Sequence, residues 1–364
     1  MLTTRERFIH CVLGQPVDRP PFWLFWGPWG TTVKRWNADG KPPEANHRNL
    51  WPVESPPAVV PINCGPSPHF PRTVLEENEN YVTWVDHWGI TRRDYKLGES
   101  MPAFLDFPVK NRADWERYKV ERLDPHHPDR LAGNWRAQCQ EWMRQEIPIQ
   151  LGSFPDVGIY GSVRWLLGDE ECLLAFRLDP ELVHDIMAHM TSLYLTLFEQ
   201  VVREVRVDVV HLWEDMCGRQ GPLISPRDWR AFMAPCYRRI HDFCVQSSIP
   251  ILSVDTDGQP DLIVPPMLEA GVNYLWPLEV AAGCDVNVYR ERYPTLGLMG
   301  GIDKRALAEG REAIDSELGR IRPAMEKGCY IPELDHGIPN DVSWQNYCYY
   351  AQRLGQLIGA LPGE

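Results

Sequence analysis

The chain has 364 residues, of which 44% are hydrophobic and 24% charged, and this composition excludes intrinsic disorder. Its 37 Lys and Arg against 50 Asp and Glu give a net charge of −13, which argues against nucleic acid or an anionic membrane as the main partner. The unusual counts are 33 Pro and 15 Trp against 11 Phe. So much Trp and Pro indicates either an aromatic wall around a pocket or rigid loops.

The first elements in chain order are short. Residues 3–13 predict an amphipathic helix that begins without an apolar leader segment, and residues 22–26 predict a buried strand. No apolar run reaches the roughly 18 residues that a bilayer span requires. The ten cysteines are scattered with no CxxC pair, a distribution typical of reduced thiols. We therefore expect a soluble cytoplasmic protein.

The composition changes between residues 27 and 108, where Pro, Gly, Asn and Trp are frequent. A featureless loop of this length is improbable in a compact domain, so the segment predicts a loop-and-hairpin insertion. Residues 114–121 and 128–145 then predict two helices.

A regular alternation begins at Pro148. Short apolar runs, which predict strands, alternate with helical patterns to the end of the chain; the runs are 149–154, 207–213, 250–254, 272–278, 295–300 and 329–332. Strands that alternate with helices indicate a parallel sheet, and the length without a GxGxxG motif favours a closed (β/α)₈ TIM barrel. We expect one domain over residues 1–364, with the N-terminal Pro/Trp-rich insertion 27–108 covering the C-terminal face of the barrel.

Acidic and histidine side chains lie at or after the ends of the predicted strands. In a parallel barrel these positions converge on the face that carries the active site. The positions are Asp156, His211, Glu214, Asp215, Asp255, Asp257, Glu279, Asp303, Asp335 and His336. Carboxylates packed together repel one another, so they need a cation, a protonated member or paired Arg side chains.

Several of these residues also have purely structural interpretations. Asp303 has the position of a helix cap, Asp257 precedes Gly258 in a turn dipeptide, and His211 has the position of a core histidine. Tryptophans 23, 26 and 29 are interpreted mainly as core, whereas Trp213 and Trp276, near strand ends, are candidates for the pocket wall.

Five strings resemble the uroporphyrinogen decarboxylase-like superfamily across nearly the whole chain outside the insertion. They are LTTRERFIHCVLGQPVDRPPFW, HLWEDMCG with the GPLISPRDWRAFMAPCYRRI that follows it, VDTDGQPDLIVPPMLEAGVNYLWPLE, MGGIDKRAL and YIPELDHGIPNDVSWQNYCYY. The resemblance implies a (β/α)₈ barrel and a homodimer. It also implies one of two activities, a cofactor-free decarboxylation or a methyl transfer that uses corrinoid proteins, coenzyme M, tetrahydrofolate or methoxylated substrates, commonly with zinc.

The sequence departs from both patterns of this superfamily. Where the decarboxylases carry Arg-Gln-Ala-Gly-Arg-Tyr, this chain reads Leu24-Phe-Trp-Gly-Pro-Trp, which is poorly suited to a polyanionic tetrapyrrole. Asp255 and Asp257 align with the His-x-Cys of the zinc methyltransferases, and His336 lies at or beside their second Cys. The resemblance therefore implies a divalent metal, Zn²⁺ or a harder ion, held by Asp255, Asp257 and His336, with loss of the metal as the alternative.

The leading hypothesis is methyl transfer from a methoxy- or methylamine-type small molecule to a corrinoid protein or a folate. Its expected catalytic residues are Glu214, Asp215 and Asp156, and its expected substrate pocket is formed by Trp213, Trp276, Glu279 and Asp335. The alternative is a metal-independent decarboxylase, a lyase acting on a different carboxylate, in which Asp156 or Asp215 steers a proton. A third hypothesis is a non-catalytic binding subunit.

Overall fold

A parallel sheet of seven strands forms the centre of the structure, a computed structural model that describes residues 2–96 and 101–363. Residues 97–100 of the predicted insertion lie outside the described residues. Counting all sheets, the described residues form thirteen strands: β1 (Ala58–Val59), β2 (Thr73–Glu77), β3 (Tyr81–Val85), β4 (Thr91–Tyr95), β5 (Ala103–Asp106), β6 (Ile149–Leu151), β7 (Val209–Trp213), β8 (Cys217–Gly218), β9 (Gly221–Pro222), β10 (Ile251–Asp255), β11 (Tyr274–Leu278), β12 (Gly297–Ile302) and β13 (Tyr330–Leu334).

The order in the central sheet is β1-β6-β7-β10-β11-β12-β13, with every pair parallel. All six strands predicted after Pro148 are confirmed. Most of their residues are buried, as expected for parallel strands covered on both faces. The sheet curls around a cluster of buried side chains that includes Phe8, Trp23, Tyr274 and Met299.

The predicted strand over residues 22–26 is wrong. Leu24 has a φ of 50°, in the left-handed region that a β-ladder does not accommodate. The Phe22 N–H donates instead to the Glu54 carboxylate at 2.9 Å. The Phe22 carbonyl accepts the N–H of Glu54, shortly before β1, and Gly27 and Trp29, which follow the segment, bond to Ile338, shortly after β13. It therefore lies at the open side of the seven-stranded sheet without forming an eighth strand, and a closed barrel stays a prediction.

Helices cover the outside of the sheet. Those of the described residues are α1 (Thr4–Val12), α2 (Gly30–Ala38), α3 (Arg112–Arg122), α4 (Trp135–Arg144), α5 (Ile159–Leu167), α6 (Asp169–Leu178), α7 (Pro180–Val202), α8 (Pro226–Asp228), α9 (Ala234–Gln246), α10 (Val264–Glu269), α11 (Val286–Arg292), α12 (Ala306–Glu309), α13 (Arg311–Glu326) and α14 (Trp344–Leu357). Within the described ranges, none combines the length and the apolar character needed to cross a bilayer.

The region predicted as an insertion has three structured parts. Helix α2 packs on α14 through Trp36, whose ring lies 4.8 Å from that of Tyr347 and whose N–H donates to the Val342 carbonyl. Strand β1 joins the central sheet, and β2 to β5 form a separate antiparallel sheet. The proposed covering role of residues 27–108 stays a prediction.

A buried carboxyl group on β13 holds the segment that precedes α2. The Glu333 carboxylate accepts the N–H of Phe25 at 2.7 Å and that of Leu334 at 2.9 Å. Burial raises the pKa of Glu333 to about 7, although both N–H groups oppose the shift.

We expect the stability of Glu333→Gln relative to the wild type to rise by about 2–3 kcal/mol between pH 5 and pH 8. The unfolded carboxyl ionises near 4.5 and the folded one near 7, so the stability of the wild type relative to the variant falls as the pH rises through this window. Urea unfolding at the two pH values measures the difference, with the exposed Glu326→Gln as control. A stability difference that does not change with pH would contradict the expectation.

Candidate functional site

The carboxyl ends of three central strands bring predicted site residues together. Asp255 on β10 lies opposite Trp213 on β7 and Trp276 on β11 in the parallel register. Two adjacent cavities, which share four lining residues, lie at this point. We call them the outer cavity and the inner chamber.

The outer cavity has a volume of about 600 Å³ and is lined mainly by aromatic side chains. Its lining residues are Phe25, Trp26, Gly27, Pro28, Trp29, Met101, Phe154, Trp213, Asp215, Asp255, Asp257, Trp276, His336 and Gly337. The inner chamber, of about 200 Å³, lies within the curve of the sheet. It is lined by Trp23, Phe25, Pro57, Val59, Gln150, Ser153, Phe154, His211, Asp255, Tyr274, Trp276 and Met299. In the described parts of the chain, no Lys or Arg lines either cavity.

Asp255 belongs to both cavities. It is 8% exposed, and within the described residues no donor forms a hydrogen bond with its carboxyl group. Its backbone carbonyl is used, since it accepts the N–H groups of Glu214 and Asp215. Burial, with the charges of Asp257 and Asp215, holds the pKa of Asp255 well above its ordinary value. The carboxyl group is therefore free to contact a ligand.

Asp257 and His336 face each other in the outer cavity. The Asp257 carboxylate lies 3.5 Å from the His336 Nε2, and the imidazole stacks on Trp26 at 5.1 Å. Burial raises the pKa of Asp257, against the opposing effect of His336. The His336 Nδ1 is buried and has no hydrogen-bond partner among the described residues.

The three predicted metal ligands do not form a ligand set as they are arranged. Among residues 2–96 and 101–363, no three His, Cys, Asp or Glu side chains are placed to hold one metal ion. The Asp257–His336 contact joins two of the three predicted ligands, and Asp255 has no contact with either of them at hydrogen-bond distance. The metal site stays a prediction.

Asp215 lines the outer cavity from a strained position. Its φ is 43°, which is uncommon for a residue with a Cβ. The carboxylate pairs with Arg164 on α5, which also pairs with Asp169. Asp215 therefore reaches the cavity with its counter-ion already in place.

Glu214 lies away from both cavities. Its carboxylate accepts the N–H groups of Ile159, Tyr160 and Gly161 at 2.7–3.1 Å and the Tyr237 hydroxyl at 2.6 Å. These three amides begin α5, whose N-cap residue is a glycine with no side chain to satisfy them. Burial raises the pKa of Glu214 to about 6, against the hydrogen bonds. The geometry gives Glu214 a capping role, and its catalytic role stays a prediction.

Two other predicted pocket residues hold loops together. The Glu279 carboxylate accepts the Gly258 N–H at 2.9 Å. Asp335 accepts the N–H groups of Val280 and Lys304, and the Lys304 ammonium lies 3.8 Å away. Neither side chain lines the outer cavity or the inner chamber. They fix the turns that carry Asp257 and His336.

Asp156 faces the region of residues 27–108. Its carboxylate accepts the Trp88 indole N–H at 3.1 Å and lies 3.9 Å from His87. Both partners belong to the turn between β3 and β4. Asp156 therefore joins the antiparallel sheet to the central one, outside the two cavities.

His211 is neutral and held in the inner chamber. Burial lowers its pKa to about 3. The Ser253 hydroxyl lies 3.1 Å from the His211 Nδ1 and accepts the Trp276 indole N–H at 3.0 Å. The Trp276 ring stacks on the imidazole at 4.9 Å. The hydrogen bond and the stacking fix the orientation of the Trp276 ring, which lines both cavities.

Sequence reasoning missed much of the aromatic wall. It interpreted tryptophans 23, 26 and 29 mainly as core, and it did not single out Phe25, Phe154 or Tyr274. The signal that could have identified Phe25 to Trp29 is their place in the alignment, where the decarboxylases carry their substrate-binding Arg string.

The comparisons with known proteins agree with the fold and with the resemblance. The sequence profile of the uroporphyrinogen decarboxylase (URO-D) family matches residues 168–353, just over half of the chain, and the chain belongs to this family. No curated protein matches the chain.

Two solved structures give the structural comparison. A methyltransferase from Methanosarcina mazei superposes with a TM-score of 0.57 at 15% identity, covering 96% of this chain and 97% of that chain. At this identity the likeness shows the fold. The chitinase Chi1 fitted into the Yersinia entomophaga toxin complex reaches a TM-score of 0.25 at 16% identity over 44% of this chain and 28% of that one, too low for any argument.

We expect Glu214→Ala to lower the free energy of unfolding by about 3–5 kcal/mol, because four buried donors lose their acceptor. Chemical denaturation measures the change. Glu199→Ala, at an exposed position on α7, is the matched control and should stay within about 0.5 kcal/mol of the wild type. Equal stabilities for the two variants would disprove the capping role.

Proposed function

We propose that this protein is an enzyme that transfers a methyl group from a methoxy- or methylamine-type small molecule to a corrinoid protein or a folate. The observation that carries the proposal is the pair of adjacent aromatic-walled cavities that share Asp255, a buried carboxyl group with no partner from the described residues. Membership of the URO-D family and a fold shared with a methyltransferase support it.

Methyl transfer needs the donor methyl carbon held in line with the acceptor and away from water. The aromatic side chains Phe25, Phe154 and Trp276 line both cavities and would exclude water at their junction. The outer cavity, at about 600 Å³, would admit the reactive part of the acceptor.

The fate of the leaving heteroatom depends on the donor. When a methoxy group loses its methyl, the oxygen keeps the bonding pair and needs a proton, which a carboxyl oxygen of Asp255 would supply. A fully methylated ammonium leaves as a neutral amine and needs none. No step here uses a metal ion, because the predicted ligands are not arranged as a set.

The cavities give the decarboxylase alternative little support. A carboxylate substrate is held best by a cationic side chain, and no Lys or Arg lines the described parts of either cavity. The Arg164 guanidinium is engaged by Asp215 and Asp169.

We expect the purified protein to methylate a reduced corrinoid or tetrahydrofolate from at least one methoxyarene, methylamine or quaternary ammonium donor. Trp276→Leu should lower kcat/KM by about tenfold or more, because the junction of the cavities loses its wall. Tyr95→Leu, at an exposed position on β4, is the matched control. The absorbance of the corrinoid and chromatography of the folate provide the measurements.

Two further arms of this assay separate the alternatives. If pretreatment with a chelator abolishes transfer, the reaction depends on a metal ion, and the metal-assisted form of the proposal applies. Release of CO₂ from a carboxylic acid, with no methyl transfer from any donor class, would overturn the proposed function in favour of the lyase.

A further inference from the structure

The inner chamber has an unusual combination of walls. Five aromatic residues line it: Trp23, Phe25, Phe154, Tyr274 and Trp276. Its single carboxyl group is that of Asp255, and His211, which also lines it, carries no charge because its ring is buried. Among the described residues, the lining thus pairs aromatic faces with a carboxyl group and includes no Lys or Arg.

Asp255 differs from its acidic neighbours in its lack of a partner. Asp215 has Arg164, and Asp257 has His336. Asp255 is more than nine-tenths buried and lines the chamber, yet no described donor reaches its carboxyl group. Buried polar groups are nearly always paired, so the missing partner of Asp255 is expected to come from a ligand.

We propose that the inner chamber binds the methylated head of an ammonium ion, with Asp255 as its counter-ion. This inference rests on the proposed function and names the donor class. The positive charge of such a head is spread over its methyl groups, which are attracted to the faces of aromatic rings. A quaternary head has no N–H and requires no acceptor, so one carboxylate among aromatic faces is enough to hold it.

The size of the chamber agrees with such a head. Its volume of about 200 Å³ equals that of about six or seven water molecules at ~30 Å³ each, enough for a nitrogen with its methyl groups. One methyl group would point past Asp255 and Trp276 into the outer cavity. When an electron pair of the acceptor bonds to that methyl carbon, the C–N bond breaks, its electron pair stays on nitrogen, and a neutral amine leaves without being protonated. A reduced corrinoid then carries the methyl group with no proton released, whereas the nitrogen of a folate acceptor also releases its own proton to water.

Calorimetric titration of the full chain with choline and with its neutral tert-butyl analogue tests the inference. We expect choline to bind about tenfold more tightly than the neutral analogue, because only choline carries the charge. Asp255→Asn should reduce this preference, because the aromatic faces alone then attract the charge, and Asp242→Asn, at an exposed position, should retain it in full.

A second variant locates the binding site. Val59 lines the inner chamber but not the outer cavity and is 39% exposed, so Val59→Phe fills the chamber from a position that tolerates a larger side chain. We expect it to weaken choline binding about tenfold, with folding confirmed by thermal denaturation. This variant keeps the test decisive if Asp255→Asn does not fold.

The outcomes separate this inference from the proposed function. Equal affinity for choline and its neutral analogue, or unchanged affinity in Val59→Phe, overturns the inference. Methyl transfer from a methoxyarene without any binding of ammonium ions keeps the proposed function and overturns the inference. Ammonium binding without transfer to either acceptor supports the chamber's assignment and overturns the proposed function.

Discussion

A buried carboxyl group needs a hydrogen-bond donor or a counter-ion, either within the protein or in a ligand. This constraint applies to each of the carboxyl groups that follow the parallel strands. Glu214 meets it at the first turn of α5, and Asp335 meets it with the backbone of two neighbouring loops. These bonds set the positions of the loops around the cavities. Asp255 has no such bond from the described residues, and its carboxyl group is the one that both cavities share.

The aromatic wall depends on the same principle. Residues 22–26 form no strand, so they lack the ladder of hydrogen bonds that positions the seven strands of the central sheet. Glu54 and Glu333 replace that ladder by accepting backbone N–H groups of Phe22 and Phe25. Side-chain carboxylates thus hold a segment whose rings line the cavities.

The sequence predicted the six later strands because parallel strands are buried on both faces and read as short apolar runs. Helix α5 was not singled out, because it is buried almost all round and its sequence, with Arg164 as its one charged residue, resembles a core segment more than a surface helix. The strand over residues 22–26 was predicted from its apolar run. The prediction failed because Leu24 adopts the left-handed backbone conformation, which a leucine in the sequence does not indicate.

From the sequence alone, the edge of the sheet at which the candidate site lies was predictable. The rule that strand ends converge placed Asp255, Asp257 and His336 around one cavity. It could not distinguish them from Glu214, whose partners at residues 159–161 lie more than fifty positions away in the sequence. Which carboxylates are occupied by backbone groups depends on such long-range contacts, and these follow from the fold as a whole.

The attachment of α2 to α14 has a consequence for the order in which the molecule is completed. Trp26 and Trp29 precede a helix that packs on Trp344 and Tyr347, and the Trp29 N–H donates to the Ile338 carbonyl. On the ribosome, the segment that carries these rings emerges about 300 residues before its supports. The aromatic wall therefore gains its final shape only after the rest of the sheet has been synthesised, and ligand binding is a property acquired at the end of folding.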